Sequence, residues 1–497
     1  MPFTVHRLKE ERSRRQSAVL CALLSVLRHS LQWFLFRQRQ SKEKKHRHHI
    51  TTITIATACA ALLITIAWNL LQTFRTLSVS TILSAGSTTI EEDAYGHTNF
   101  LLLGQGDALH DGMDLIDSIM IVSLDRKSEN FSILSLPRDL YFLRTEKMGS
   151  GRLNSLYRDH KYALKRQGLD EHEASMETLR TLADEISTVL STKIHHVVKV
   201  NFTGFIAAVD AIGGIPIDIP EDITDPAFPG PNYTTETFSI HKGQQLLDGR
   251  TALKYARSRS TTSDFDRSAR QQLLLEALEQ HVQKMGLLTK PNKLLALFKI
   301  MSKNLETTLS IRELLTLAKI GKGFHSPRFL SMHLSDRNGL YEEILEPGGF
   351  LYAPPRDQFD GASVLLPLSL PEFPVTWKQL KVLTRIFLHE RSLHLANLPI
   401  SLLNAGAPTG SAHLLADELL RYGFSINDVS NAPFPKQEQS FILEGENREM
   451  EKLLSSLLNL PVLPAQVAPT KETTGMSIVI GKNYRFVPLQ DLSPSRP

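Results

Sequence analysis

Hydrophobic positions change their period along this chain. Short β-rich runs occur at 99–103 (NFLLL), 118–124 (SIMIVSL) and 131–136 (FSILSL), bounded by Gly, Asp and Lys, and such runs recur at 196–201 and 215–219. Apolar residues fall at helical spacing over 171–190, 203–211, 248–257 and 264–285, with further helical patterns near 292–303 and 311–320. A period of two marks half-buried strands and a period of 3.6 marks one-faced helices. The alternation predicts an α/β (α+β) domain with a largely buried sheet. A Pro- and Gly-rich passage over 347–374 then breaks the periodicity and reads as a linker or an ordered irregular segment. Beyond it, HLANL (394–398), a helix over 410–422, FSINDVS (424–430), SFILEG (440–445), a helix over 447–458 and MSIVIG (476–481) predict a small second α/β domain. That domain carries no titratable cluster that reads as catalytic.

Charge changes the picture at one end only. The first fifty residues hold twelve Lys or Arg against three Asp or Glu, so the remainder of this +4 chain is acidic on balance. Directly after the basic block, residues 50–74 (ITTITIATACAALLITIAWNLLQTF) carry no charge, enough to cross a bilayer core of roughly 30 Å as a helix. Lys42, Lys44, Lys45 and Arg47 precede it and a single Arg75 follows it, which predicts a single-pass cell-membrane anchor with the N-terminus cytoplasmic and everything later extracellular. A cleaved secretory signal is the alternative, but the span is longer than a signal core and some fifty residues precede it. The apolar stretch 18–36, broken by Arg28 and His29, reads as an interfacial helix. At a membrane edge the basic arm suits anionic lipid headgroups better than nucleic acid, and no helix-turn-helix pattern precedes the span. The two cysteines, Cys21 and Cys59, fall in the arm and the span, so no disulfide staples the later domains. The expected organisation is an arm (1–49), a transmembrane helix (50–74), a Ser/Thr-rich stalk (75–98), a catalytic domain (99–325), a linker or irregular region (326–390) and a C-terminal domain (391–490).

The chemistry-bearing residues gather in three places. Arg257, Arg259, Arg267, Arg270 and Gln271 surround the expected start of the 264–285 helix, where Asp264, Arg267, Arg270 and Gln271 share one face with Leu274 and Leu278. Unpaired N–H groups at a helix start and guanidinium forks suit a phosphate, and the alternative is a solvated, salt-bridged patch. Asp107, Asp111, Asp114 and Asp117 lie within eleven residues after the first strand, which suits Mg²⁺ or, equally, an acidic turn. Leu136-Pro-Arg138-Asp139 closes the third strand. Metal, cationic clamp and anionic substrate are the parts phosphoryl transfer needs. No G-x-S-x-G, H-E-x-x-H or C-x-x-C occurs, and Gly104-Gln-Gly106 lacks the third glycine of a dinucleotide loop.

The ordered series Asp117-Ser-Ile-Met-Ile, Leu134-Ser-Leu-Pro-Arg-Asp139, Asn154, Val200-Asn-Phe202, Asp210-Ala-Ile-Gly-Gly-Ile-Pro-Ile-Asp-Ile-Pro220, Gly243-Gln-Gln-Leu-Leu-Asp-Gly249, Ala252-Leu-Lys-Tyr-Ala-Arg-Ser-Arg259 and Asp264-Phe-Asp-Arg-Ser-Ala-Arg-Gln271 resembles the LytR-CpsA-Psr (LCP) family over about 99–283. Leu403-Asn-Ala-Gly406 and Val479-Ile-Gly-Lys-Asn-Tyr484 resemble the C-terminal domain often found with it. The resemblance implies a central mixed β-sheet flanked by helices. It also implies a phosphotransferase that moves a glycopolymer, such as a teichoic acid, from a polyprenyl pyrophosphate carrier to peptidoglycan. On that reading Arg138, Arg257, Arg259, Arg267, Arg270 and Gln271 hold the pyrophosphate, and Asp117 supports Mg²⁺ with either Asp107 or Asp111. Asn154, Phe202, Phe205 and Leu274 are the candidate substrate contacts, the apolar ones serving a lipid groove or simply the core. The competing classes are a non-catalytic polyprenyl-phosphate or cell-wall binding scaffold and a polyprenyl-pyrophosphate hydrolase. The partners expected are the lipid-linked glycopolymer, peptidoglycan and membrane lipids, with no nucleic acid.

Overall fold

The computed structural model describes residues 89–106, 114–230, 234–258, 303–322, 328–334, 349–368, 375–445, 447–464 and 475–492, with isolated positions between 270 and 300, Phe324, 339–340 and 343–344. The expected arm, the 50–74 span and most of the stalk lie outside the described residues. Among the described residues no helix is long and apolar enough to cross a membrane.

The first strands form where the pattern places them: β1 (His97–Gln105), β2 (Ile116–Asp125) and β3 (Asn130–Leu136) make an antiparallel meander. After β3 a short hairpin, β4 (Tyr141–Phe142) with β5 (Gly151–Arg152), leads into helix α1 (Leu153–Arg166) and then α2 (Glu171–Leu190). Strand β6 (His196–Asn201) returns parallel to β1. Further on, β11 (Leu305–Thr307) pairs with β6, helix α5 (Ile311–Lys322) follows, and β12 (Arg328–His333) lies parallel to β3, inside the segment expected as linker. With β13 (Gly339–Leu340) and β14 (Glu343–Ile344) the result is an eight-stranded mixed sheet in the order β11-β6-β1-β2-β3-β12-β13-β14.

One face of this sheet packs on α1 and α2. Leu101, Leu103, Ile119, Ile121, Leu134, Leu136 and Val197 meet Leu156, Tyr157, Leu179, Leu182 and Ile186, all buried. Each such aliphatic side chain contributes about 1.5–3 kcal/mol by leaving water. Asp170 caps α2 by accepting from the Glu173 amide.

Two helices then set the site. Asn201 caps α3 (Phe202–Ala211), and Asp248 caps α4 (Gly249–Arg257). Between them β7 (Ile215–Ile219) pairs with β10 (Gly243–Leu247), and β8 (Ile223–Pro229) pairs with β9 (Thr235–Ile240). A Cβ at Gly249 would collide with the Ile206 backbone, so α4 lies against α3 at a distance only glycine permits. Val209, Ile217, Phe228, Phe238, Leu247, Ala252, Tyr255 and Leu274 form a second core around this pair.

The C-terminal domain is a five-stranded mixed sheet in the order β18-β17-β21-β19-β20, where β17 is Ile400–Asn404, β18 Ile426–Asn431, β19 Phe441–Leu443, β20 Val462–Leu463 and β21 Met476–Ile480. Between the two sheets lie the short strands β15 (Leu351–Tyr352) and β16 (Leu366–Pro367), helix α6 (Lys378–Thr384), a π turn (Arg385–His389) and helix α7 (Ser392–Ala396). HLANL is therefore largely helix and not strand. Asn397 takes a left-handed conformation to end α7, and the strand begins only after Pro399. Helices α8 (Ser411–Arg421) and α9 (Arg448–Leu458) cover the sheet, and α10 (Leu489–Leu492) is the last element among the described residues.

Arg391 docks this domain on the larger sheet. Its Nη1 donates to the carbonyls of Ser123 (2.7 Å) and Asn130 (3.1 Å), and its Nη2 to Ser123 Oγ (2.6 Å) and the Leu388 carbonyl (2.5 Å). Burial draws the guanidinium down to about 10, with Asp125 and Asp93 opposing the shift. Asp93, His97 and His389 bring ligand atoms together beside it. Arg391 Nη2 stands 3.3 Å from His97 Nδ1, so a guanidinium already puts positive charge beside this group. His97 Nδ1 thus accepts, and His389 Nδ1 carries the proton that faces it at 3.4 Å and Asp93 at 3.4 Å.

Candidate functional site

The site lies where the carboxyl ends of β1, β3 and β6 meet the start of β2. The register of β1 on β2 shifts after Gly104, so that Gln105 faces Ile116 and Asp117 is the extra, unpaired residue of a bulge. Its carboxylate is 41% exposed and accepts from Arg138 Nη1 at 2.9 Å. Arg138 Nε lies 3.7 Å from Asp139, and Arg152 reaches Asp139 from the other side at 3.6 Å. Acid and base thus alternate along one rim: Asp117, Arg138, Asp139, Arg152.

Phe202, the first residue of α3, connects this rim to α4. A Cβ at Gly106 would stand 3.8 Å from the Phe202 ring and 4.0 Å from Asp117 Oδ2, so the end of β1 lies close to both. On the other side the Arg257 guanidinium stacks 4.5 Å from the Phe202 centroid and 5.4 Å from that of Phe228. Two aromatic faces fix the last residue of α4.

Arg270 and Gln271 do something the spacing did not show. Arg270 is buried, and its Nη2 donates to the Ser258 carbonyl at 2.5 Å, while Gln271 Nε2 donates to the Ala256 carbonyl at 3.1 Å. Both cap the exposed carbonyls at the end of α4 and so hold Arg257 in place. Arg270 Nε has no hydrogen-bond partner among the described residues, which leaves one donor for an anion. Asn154 donates its backbone N–H to the Arg138 carbonyl at 3.0 Å, and its buried Oδ1 is also unpartnered among the described residues. Leu274 and Phe205 pack in the second core, whereas Phe202 lies at the site. Arg259, Arg267, Asp107 and Asp111 lie outside the described residues, as does the start of the expected 264–285 helix.

The residues present fit a hard divalent cation in kind. Asp117 offers an open carboxylate, and close to it the Gly106 N–H donates to the Leu115 carbonyl. Asp114 is not a candidate ligand. Gln105 and the buried Lys161 hold its two oxygens at 2.5 and 3.0 Å, with the residue at φ +63°.

Lys161 also pairs with Glu171 (2.5 Å), whose carboxyl falls to about 2 through that bond and the one from Lys165. Beneath it, Lys199 donates to Tyr157 Oη at 2.6 Å and pairs with Glu306 at 3.2 Å, and Ser175 hydrogen-bonds both Tyr157 and Glu306. Burial lowers Lys199 and raises Tyr157. Sequence reasoning missed this network. Its signal was there in HVVKVN, where Lys199 occupies an inward position in register with Val197.

The LytR_cpsA_psr family model matches residues 72–346. The chain belongs to the LytR-CpsA-Psr family. A second family, described as the LytR cell envelope-related transcriptional attenuator, matches residues 397–484. Among curated relatives, the cell wall biosynthesis protein LcpA of Corynebacterium glutamicum is 24% identical over 418 residues, 77% of this chain and 73% of LcpA. The polyisoprenyl-teichoic acid–peptidoglycan teichoic acid transferase TagV of Bacillus subtilis is 31% identical over 225 residues, 44% of this chain and 51% of TagV. The crystal structure of B. subtilis TagV aligns with a TM-score of 0.40 at 22% identity, covering 59% of this chain and 98% of that one.

Proposed function

We propose that this family member is a phosphotransferase of cell-wall assembly, moving a glycopolymer phosphate from a polyprenyl pyrophosphate carrier to peptidoglycan on the outer side of the membrane. The observation that carries the reading is the convergence of Asp117, Arg138 and Arg257 around Phe202 at one sheet end. Relatives named as teichoic acid transferases support it.

A pyrophosphate crowds negative charge on adjacent phosphoryl groups. Arg138 and Arg257 supply preorganised positive charge, and each such contact is worth roughly 3 kcal/mol in a transition state. Asp117, with Asp107 or Asp111, would hold Mg²⁺, which when bound neutralises phosphate charge. An acceptor sugar hydroxyl forms the new P–O bond as the anhydride P–O bond breaks. Polyprenyl phosphate leaves with the electron pair, and the hydroxyl proton passes to solvent. Arg270, Gln271 and Phe202 act by orienting Arg257, and Asn154 by anchoring Arg138.

The uncharged segment 50–74 would anchor the chain beside its lipid-linked donor, with the basic arm on the cytoplasmic leaflet. The test is to incubate the full-length protein in detergent with a polyprenyl-pyrophosphate oligosaccharide, Mg²⁺ and peptidoglycan fragments. A joined product supports transfer. A free phospho-oligosaccharide alone would make it a hydrolase, and binding without turnover a scaffold.

A further inference from the structure

The Pro- and Gly-rich segment between the two family matches builds a wall beside the site. A one-turn 3₁₀ helix (Arg356–Phe359) ends at Asp360, held at φ +52°, and Gly361 at φ +80° turns the chain back. Residues 365–366 then lie along the stretch that follows Arg138. The Leu365 amide donates to the Asp139 carbonyl, and the Tyr141 amide to the Leu365 carbonyl, both at 2.8 Å. Between this turn and the β4–β5 hairpin opens a cavity of about 260 Å³, lined by Tyr141, Leu143, Ser150, Gln358, Phe359 and Asp360. Tyr141 and Phe359 meet edge to face at 5.0 Å, and Leu143 is 50% exposed at the rim.

We propose that this groove binds one unit of a neutral saccharide next to the reacting phosphate. Its lining is a hydroxyl-binding set: a phenol, a primary alcohol, a carboxamide and one carboxylate. None of these four side-chain polar groups has a hydrogen-bond partner among the described residues, so they are ready for a ligand's hydroxyls. No Lys or Arg lines it, which disfavours a phosphate, and the edge-on aromatic pair leaves no slot for a flat base. The volume lies just under the roughly 300 Å³ at which drug-sized pockets begin, the scale of a single ring with its substituents. Position supports the assignment. Tyr141 pairs in register with Arg152, and Arg152 reaches through Asp139 to Arg138. The saccharide is either the acceptor glycan or the first sugar of the lipid-linked donor. The placement rests on the transferase reading, whereas binding of the sugar does not.

The experiment uses the full-length protein in detergent and a β-1,4-linked N-acetylglucosamine tetramer as probe, followed by calorimetry and saturation-transfer NMR. Gln358→Ala and Asp360→Asn, both at exposed positions, should weaken binding at least tenfold while leaving the melting temperature in place. In the transfer assay these variants should raise the KM for acceptor if the groove holds the acceptor glycan, or for donor if it holds the donor's sugar; either supports the groove. If the wild type shows no turnover, the transferase reading fails, and tetramer binding still decides the groove. A wild type that does not bind the tetramer, or variants that bind it equally well, overturn the proposal.

Discussion

Asp117 and Arg138 pair at 2.9 Å across the adjoining ends of β2 and β3, and this contact joins the acidic and basic halves of the site. The pair is open to solvent on the Asp117 side, so its worth to folding is about 0–1 kcal/mol. Asp117→Ala should therefore leave the melting temperature within a degree or two while turnover falls by two orders of magnitude or more. Turnover assays over a Mg²⁺ titration would check it, and an unchanged Mg²⁺ dependence would remove Asp117 from the metal. Comparing Asp107→Ala with Asp111→Ala identifies its partner.

Arg257 tests the clamp. Arg257→Lys keeps the charge but loses the planar stack on Phe202 and Phe228, so activity should drop at least tenfold, with donor binding weakened in parallel. Wild-type donor affinity and transfer in the Lys variant would mean that the guanidinium only decorates the surface.

Arg270 should behave differently. From spacing alone, Arg270 reads as one more phosphate ligand of the clamp. The buried bond to the Ser258 carbonyl changes that: Arg270→Ala leaves the end of α4 uncapped and should cost about 1–3 kcal/mol in denaturant unfolding as well as activity. Equal stability of the variant and the wild type would argue against the capping role.

Docking of the C-terminal domain should weaken in acid. Burial holds His389 well below its ordinary value, so the unfolded chain takes up its proton first. The stability this group contributes is present above about pH 6.5 and is lost as the pH falls toward the lower folded value. His97, Asp93, Arg391 and Arg385 face the ring, with Tyr95 stacked on it and Thr192 on its Nε2. Thermal unfolding of the wild type and of His389→Leu at pH 8 and pH 5 should show a smaller acid shift in the variant. Equal shifts would contradict the assignment.

Much of the architecture was legible because its periods are clean. Strand 196–201 and helix 171–190 fall on the expected residues, since the valines of β6 and the Leu179, Leu182, Ile186 and Val189 spacing of α2 mark their periods. Helix α1 was not foreseen. Its buried positions include Asn154 and Lys161, polar residues whose burial depends on partners far along the chain. Strand β12 went unseen for a related reason: its partner is β3, nearly two hundred residues earlier, and only the sheet makes RFLSMH a strand. At the site, residue types announced an anion and a cation, but not the division of labour. The side chains of Arg270 and Gln271 could serve a phosphate or a helix end, and only geometry shows that each spends a nitrogen on the helix end.

The membrane anchor can be tested in cells. If 50–74 spans the bilayer with the N-terminus inside, protease added to intact cells should digest the chain beyond residue 77. Protection of that region would refute the topology.

The central claim rests on the fate of the phosphate, and mass analysis of one reaction decides it. The purified full-length protein is given a polyprenyl-pyrophosphate oligosaccharide labelled with ³²P in the sugar-linked phosphate, together with Mg²⁺ and peptidoglycan fragments. The account predicts label joined to the peptidoglycan fragment through a phosphodiester, lost in Asp117→Ala and Arg138→Ala. Label that stays with the lipid, or appears only as free phospho-oligosaccharide, would contradict it.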